Sequence, residues 1–237
     1  MSNPIFTASQ PAFGAETAQA ERISAFLRKV YGWMFLGLAL TAVVAFGTAG
    51  SPAVLGAVLG NRLIFFGIIL AELALVWYLS ARVNQLAPAT AGGLFLLYSA
   101  LNGVTLSVIL LSFTGASVAN AFLTTSVMFG ALAGYGSVTK RSLAGVGQFA
   151  FMGLIGVVVA SIVGIFWQNS MLQFVISVSG VVVFTGLTMW DAQRLKGMAL
   201  QLEGDAAAAH AVVGALALYL DFINLFLFVL RLFGRRR

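Results

Sequence analysis

Long apolar runs separated by short polar breaks are the main pattern along this chain. A membrane-spanning helix needs about 20 mostly apolar residues at a rise of about 1.5 Å each. Seven segments meet or approach that length: 30–49, 63–81, 89–112, 117–137, 145–167, 171–193 and 210–233. The breaks carry turn residues or charge, at Gly50–Pro52, Asn61–Arg62, Asn84–Pro88, Thr114–Gly115, Lys140–Arg141, Gln168–Asn169 and Leu195–Asp205. The pattern therefore predicts a bundle of seven spanning helices, with no loop long enough to fold as a separate domain.

The two ends of the chain differ from this pattern. Residues 1–21 are polar and small, and they lack the charged start and short apolar core of a cleavable signal peptide. We predict a flexible cytoplasmic tail over 1–21, followed by an amphipathic stretch at Glu21–Lys29. The predicted domains are this tail, a seven-helix transmembrane domain over 22–234, and a basic C-terminal end over 235–237.

Composition supports the membrane interpretation. The chain has 237 residues, of which 60% are hydrophobic and only 8% charged, whereas soluble domains are about 45–50% apolar and about 25% charged. The absence of cysteine and the single histidine, His210, exclude disulfide scaffolds, thiolate-bound metals and multi-histidine sites. His210 stands at the mouth of the last span, where an interfacial residue is expected rather than a ligand. The fold class predicted is an all-α integral membrane protein.

The positive charges indicate orientation rather than nucleic-acid binding. The net charge is +6, but the basic residues lie in short groups between apolar runs and not on one exposed face. With the N-terminus inside, the outer loops hold only Arg62, and the inner side holds Arg22, Arg28, Lys29, Arg82, Lys140, Arg141, Arg194 and Lys196. The arginines from 231 to 237 break this rule if the last segment spans, and a re-entrant segment would obey it. The 24-residue length of 210–233 favours seven crossings.

Glycines inside the predicted spans indicate close helix packing. Gly130 and Gly134 form a G-x-x-x-G step, and Gly153 and Gly156 lie close together in the next span. Small residues let helix backbones approach each other in lipid. We expect these four glycines to face neighbouring helices of the same bundle.

Three acidic residues, Glu72, Asp191 and Asp221, lie within predicted spans, with no lysine or arginine at mid-span to neutralise them. A charge at mid-bilayer costs about 3 kcal/mol on insertion scales, so such residues face the bundle interior and usually serve function. The acids can be protonated, two of them can share a proton, or they can bind a cation, for which carboxylate oxygens favour Ca²⁺. Because each bound proton removes a cation ligand, the pattern predicts a pH-sensitive gate or cation site.

Simpler interpretations of the same residues stay open. Asp191 precedes Arg194 by three residues, the spacing of a helix-end ion pair. Glu72 as a protonated hydrogen-bonding group needs no ion. Arg82, at the inner end of the second span, either extends to the interface or closes over the acids as a latch.

Polar side chains that accompany the acids predict a lining for an ion path. Asn102 lies at helical spacing from Tyr98 and Thr105, and Asn224 follows Asp221 on one face of the last span. Ser177 and Thr188 share a face with Asp191 on the sixth span. The alternative is that these amides and hydroxyls satisfy backbone groups and hold helices together.

Four stretches resemble the Bax inhibitor motif family: YSALNG at 98–103, FGALAGYGSVTKRSL at 129–143, FTGLTMWDAQRLK at 184–196 and ALALYLDFINLFLFVLRLFG at 215–234. The last of these is the most specific, and the resemblance covers residues 22–234 in order. The chain looks like a bacterial member of that family.

The resemblance implies both a fold and a function. It implies seven helices with the last, apolar helix at the centre, and a pH-sensitive calcium leak across the membrane. Asp191 and Asp221 match the family's aspartate pair, which serves as pH sensor and possible Ca²⁺ ligand, and Arg82 stands in place of its latch. Glu72 matches an acid in the second helix. The C-terminal Gly-Arg-Arg-Arg differs from the lysine-rich tail of eukaryotic relatives, which argues against regulation through the tail.

Two other function classes compete with the channel. An interaction protein would regulate a membrane-bound protease or a stress or cell-death response, with the 1–21 tail as its handle. An intramembrane protease is disfavoured, because Asp221 stands in Tyr-Leu-Asp-Phe rather than Gly-x-Gly-Asp and His210 is near a span end. We therefore expect no enzyme activity, no cofactor other than transported or bound Ca²⁺, and no nucleic-acid partner. The expected location is the bacterial inner membrane.

Overall fold

The computed structural model describes residues 11–167 and 169–236, with side chains from Glu16 onward. The helices are α1 (Pro11–Ala49), α2 (Pro52–Gly60), α3 (Arg62–Arg82), α4 (Pro88–Leu111), α5 (Gly115–Val138), α6 (Ala144–Phe166), α7 (Ser170–Gln201) and α8 (Gly204–Phe233), with a 3₁₀ turn at Val83–Gln85. Seven of them, all except α2, are long and apolar enough to span a membrane. Within the described ranges no β-strand forms beyond an isolated bridge. The predicted all-α bundle with seven spans is confirmed.

Helix α2 was not predicted. Its nine residues reach about 14 Å at the rise of an α-helix, too short to cross a bilayer. The backbone amide of Val54 donates to the Ser51 side chain at 3.5 Å, and Pro52 occupies the first turn, where its missing N–H costs nothing. The connection between the first two spans is therefore a short helix instead of an open loop.

Helix α1 extends into the stretch predicted as a flexible tail. Residues 11–20 are helical, and residues 1–10 of the predicted tail lie outside the described part of the chain. Four of the ten residues in the segment from 11 to 20 are alanine, the strongest helix former. Its polar composition predicted exposure correctly for residues 16–20, but exposure did not imply an irregular backbone.

The loop predicted between the last two spans is much shorter than 195–205. Helix α7 continues to Gln201 and α8 begins at Gly204, which leaves only Leu202 and Glu203 between them. The extra turns of α7 are held by the buried side chains of Leu195 and Ala199. Gly204 has φ +58°, a left-handed conformation that glycine adopts readily. The charges in this segment lie on an extended helix rather than in a loop.

Helix α8 is the most buried element. In its most apolar window 72% of residues are buried, against 11–44% in the other six spans. It packs against α1, α4, α5 and α7, with a smaller contact to α3 and the 3₁₀ turn. This is the burial expected of a helix that occupies the centre of the bundle.

The C-terminal end shows that α8 crosses the bundle. The helix is continuous for 30 residues. Beyond it, the Thr114 amide donates to the Arg235 carbonyl at 3.0 Å, and Arg236 forms an isolated bridge with Phe113. Both contacts are with the α4–α5 loop, so α8 ends at the opposite end of the bundle from its start. The seven-crossing alternative is the one observed, and α8 is not re-entrant.

The glycines predicted to pack helices together were mostly the wrong ones. A Cβ added at Gly130, Gly134 or Gly156 would have no neighbour within 4 Å, and only Gly153 faces another helix, near Val183. The close contacts are at other glycines, including Gly103. There a Cβ would lie 2.7 Å from the Thr41 carbonyl oxygen of α1. Spacing alone does not determine which way a helix is rotated, and rotation decides which glycines meet a neighbour.

We predict that Gly103→Ala lowers the thermal stability of the protein in detergent. The new methyl group would collide with backbone of α1, which cannot rotate away, and overpacking of this kind costs about 1–3 kcal/mol. Gly134→Ala is the matched control, since its methyl group meets nothing and alanine favours a helix. Equal melting temperatures for the two variants would contradict this description of the α1–α4 contact.

Candidate polar sites on the two faces of helix α8

Helix α8 presents two polar side chains on opposite faces. Tyr219 and Asp221 are two residues apart, which places them about 200° apart around the helix axis. Asp221 interacts with Asp191 of α7, and Tyr219 hydrogen-bonds residues of α1 and α4. We call Asp191 and Asp221 the aspartate pair, and Glu72, Asn102 and Thr105 the glutamate cluster.

The aspartate pair forms because α7 and α8 approach closely on either side of it. At Gly180 an added Cβ would lie 2.5 Å from the Phe228 ring, and at Gly214 it would overlap Leu195. Between these two contacts the carboxyl groups of Asp191 and Asp221 are within hydrogen-bonding range. The two residues are only 9% and 4% exposed. The structure thus brings together the two acids that the sequence singled out on the last two spans.

The charges around the pair are unequal. Arg194 Nη1 is 3.9 Å from Asp191 Oδ1, and its guanidinium also lies over the Trp190 ring. Asp221 has no basic side chain within 4 Å, and no group in the described chain donates to its buried Oδ2. The helix-end pairing of Asp191 and its contact with Asp221 therefore both occur. Because two carboxylates are both acceptors, a hydrogen bond between them requires a proton on one.

The glutamate cluster lies across the face of α8 that Tyr219 occupies. The Thr105 hydroxyl donates to Glu72 Oε1 at 2.6 Å, and the Asn102 side chain also hydrogen-bonds this carboxylate. Tyr219 Oη is 3.1 Å from Asn102 Oδ1 and 2.6 Å from Thr41 Oγ1. The contacts connect α3, α4, α8 and α1 in one polar chain. The Glu72 carboxylate, unlike that of Asp221, therefore has neutral side-chain donors beside it.

Sequence reasoning missed Thr41 and Tyr219. A single threonine in an apolar span is a weak signal, because its hydroxyl usually bonds the backbone of its own helix. Tyr219 gave a stronger signal, because its spacing of two residues from Asp221 already placed its hydroxyl group on the opposite face of the last span. The hydrogen bond between the Tyr219 hydroxyl and Thr41 could be recognised only once the packing of α1 against α8 was known.

Arg82 does not contact the aspartate pair in this structure. Its side chain is exposed at the end of α3 and donates to Gln85 Oε1 at 2.6 Å. Among the described residues the ion pairs within 4 Å are Arg194–Asp191 and Arg22–Glu203. A latch made by Arg82 would require its side chain to leave Gln85.

The remaining predicted polar residues bond their own helices. Asn224 Nδ2 donates to the Leu220 carbonyl at 2.8 Å, and Ser177 and Thr188 bond the carbonyls four residues earlier at 2.8 and 2.7 Å. His210 Nδ1 is 2.8 Å from the Ala206 carbonyl. Asn102 joins the glutamate cluster, whereas Asn224 bonds the backbone of its own helix, as the simpler interpretation requires.

Comparison with known proteins decides the family. Residues 23–237 match the family described as inhibitor of apoptosis-promoting Bax1. The chain belongs to the Bax inhibitor-1 family. This family member is 46% identical over 231 residues to the inner membrane protein YbhL of Escherichia coli K12, covering 96% of this chain and 95% of that protein. It is 42% identical to an uncharacterized protein of Borreliella burgdorferi, covering 90% and 92% of the two chains. The family predicted by resemblance is confirmed, and the similarity extends over the whole bundle.

We predict that Thr105→Val destabilises this Bax inhibitor-1 family protein and that Thr105→Ser does not. Valine keeps the shape of threonine but removes the hydroxyl that donates to Glu72, and an underbonded buried acid costs about 1–3 kcal/mol. Serine retains the donor. Thermal unfolding in detergent of both variants tests this, and equal losses would show that Thr105 acts by packing rather than by its hydrogen bond.

Proposed function

We propose that this protein is a pH-sensitive calcium leak channel of the cytoplasmic membrane, gated by Asp191 and Asp221. The observation that carries the proposal is a pair of adjacent buried carboxyl groups, one of which has no basic partner within 4 Å. Charged groups inside a membrane bundle are costly and usually mark ion or proton pathways. We propose no enzymatic role, and we place the N-terminus in the cytoplasm because most Lys and Arg flanking the spans then lie inside.

A shared proton holds the gate closed in this mechanism. One proton between the two carboxyl groups makes the α7–α8 contact attractive. Loss of that proton leaves two like charges close together in a poorly solvated place, where their repulsion is strong. The repulsion separates the helices and frees carboxylate oxygens, which are the ligands that Ca²⁺ prefers. Proton loss thus opens the path and supplies its cation ligands in one step.

We predict that calcium flux into proteoliposomes rises with pH for the wild type, and that Asp191→Asn and Asp221→Asn remove this dependence. Asparagine carries a permanent donor and no charge, so the pair stays bonded at every pH. Asp205→Asn, in the first turn of α8, is the matched control and should keep the wild-type profile. An unchanged pH profile in both variants of the pair would refute the sensor.

A latch role for Arg82 makes a separate prediction. If Arg82 leaves Gln85 to bridge the acids in the closed channel, Arg82→Ala should raise the leak at low pH, where the wild type is closed. The pH dependence itself should persist, because the aspartate pair is intact. Arg62→Ala, at the start of α3, controls for loss of an arginine from the same helix. Identical leaks for wild type and Arg82→Ala would remove Arg82 from the gate while leaving the sensor standing.

A further inference from the structure

An apolar cavity of about 430 Å³ lies between α1 and α5, with α8 and the end of α4 as its floor. Phe222 and Phe226 of α8 are among the side chains that line it. Phe46 of α1 and Phe122 of α5 border its opening, and they are 69% and 46% exposed. The cavity therefore opens sideways between two spanning helices, toward lipid rather than water.

Small residues on the two flanking helices leave this space. The lining face of α1 carries Ala42, Ala45 and Ala49, and that of α5 carries Gly115 and Ala119. Small residues usually let helices approach each other in a membrane. Here α1 packs mainly against α4 and α8, and α5 packs against α7 and α8. The short side chains therefore border a gap instead of a helix–helix contact.

The chemistry of the lining suits hydrocarbon. Among the described residues that line the cavity, Thr41 alone has a polar side chain, and its hydroxyl already contacts the Ser99 carbonyl at 2.8 Å and Tyr219 Oη at 2.6 Å. An ordered water needs two to four polar partners, which these side chains do not offer. An apolar chain fits the cavity better than water does.

The depth of the cavity matches one leaflet of a bilayer. Its lining on α1 runs from Leu38 to Ala49, the last residue of that helix, which is a rise of about 16 Å. On α8 the same rise separates Phe222, where the lining begins, from the helix end at Phe233. Half of the hydrocarbon core of a bilayer is about 15 Å. A spanning helix of a partner would pass through both leaflets, whereas this cavity covers one.

The outer end of the cavity, which we call its mouth, lies beside the C-terminal segment. Phe113 and Gly115 line the cavity there. The backbone of Arg236 forms its isolated bridge with Phe113, and the Arg235 amide donates to Ser117 Oγ at 2.9 Å. These backbone contacts place two exposed arginines next to the mouth.

These arginines are not neutralised by the protein. Four of the seven acidic residues lie at the opposite end of the bundle, and the other three lie within the spans. In the described part of the chain, neither Arg235 nor Arg236 has an ion pair within 4 Å. Guanidinium groups bind phosphate through paired N–H donors. Lipid phosphates are anions that lie at this level of the membrane.

We propose that this protein binds an anionic phospholipid, with one acyl chain in the cavity between α1 and α5 and the phosphate at Arg235 and Arg236. The apolar lining and the depth fit the acyl chain, and the arginines at the mouth fit the headgroup. The bound phosphate offsets positive charge at an end of the bundle that otherwise holds little of it. The site is separate from the aspartate pair and does not depend on calcium transport.

The test measures which lipids stay bound to the full chain, by native mass spectrometry after incubation in detergent with equal amounts of palmitoyl-oleoyl phosphatidylglycerol and phosphatidylethanolamine. The wild type should retain one phosphatidylglycerol in preference to phosphatidylethanolamine. Ala119→Trp fills the cavity with an indole ring and should lose the bound lipid. Ala131→Trp is the matched control, because Ala131 is exposed on the same helix and does not line the cavity.

The headgroup contact has its own variant. Arg236→Gln leaves the backbone bridge with Phe113 in place and removes one charge beside the mouth. The preference for phosphatidylglycerol should fall roughly fivefold, the effect of one arginine near an anionic lipid surface. Arg62→Gln removes an arginine from the start of α3, which does not border the cavity, and should keep the wild-type preference.

Photocrosslinking of the wild type gives a measurement that does not depend on the folding of any variant. A phosphatidylglycerol with a diazirine in its acyl chain should form adducts within the lining stretches, 38–49, 106–122 and 222–226. Adducts only elsewhere would overturn the site. So would equal lipid retention by Ala119→Trp and Ala131→Trp, or an unchanged lipid preference in Arg236→Gln.

A second copy of the chain is the competing occupant of the cavity. A wild-type dimer that Ala119→Trp abolishes, with no lipid retained, would assign the cavity to that copy and overturn the lipid site. Lipid retention is measured without calcium, so the lipid site and the calcium leak can each fail alone.

Discussion

The burial of α8 is the constraint on which the rest of the structure depends. A helix surrounded by protein within a membrane has neither water nor lipid headgroups to satisfy its polar side chains, so each needs a partner in its own backbone or on a neighbouring helix. Tyr219 hydrogen-bonds Thr41 and Asn102, whereas the partner of Asp221 is another acid, Asp191. The placement of α1, α4 and α7 around α8 is also the arrangement that supplies these partners.

The two polar sites differ in chemistry because their partners differ. Glu72 is met by two donors, from Thr105 and Asn102, so its carboxylate is bonded without any added proton. Asp221 meets Asp191, which as a carboxylate offers no donor, so a hydrogen bond between the two carboxyl groups needs a proton on one of them. The first site can therefore hold an ionised acid in a fixed position, and the second is suited to respond to proton concentration.

Both ends of α8 are tied to other elements. At its start, Glu203 forms an ion pair with Arg22 of α1, next to the tight turn at Gly204. At its end, backbone bonds join residues 235 and 236 to the α4–α5 loop. The aspartate pair lies on the stretch of α8 between these two ties, flanked by the close contacts with α7 at Gly180 and Gly214.

The sequence by itself determined the features that depend on the surrounding solvent and on segment length, namely the spans and the acids inside them. Seven apolar runs long enough to span, with acids at Glu72, Asp191 and Asp221 inside them, could be read directly, since lipid penalises charge wherever the chain is placed. Tertiary structure decided which residues meet across helices, because those contacts depend on helix rotation and packing. Gly103 rather than Gly134 faces a neighbour, α7 extends past Arg194 because Leu195 is buried, and the Tyr219 hydroxyl reaches Thr41. A periodic pattern does not specify which face of a uniformly apolar helix meets which partner, because every face is equally compatible with lipid.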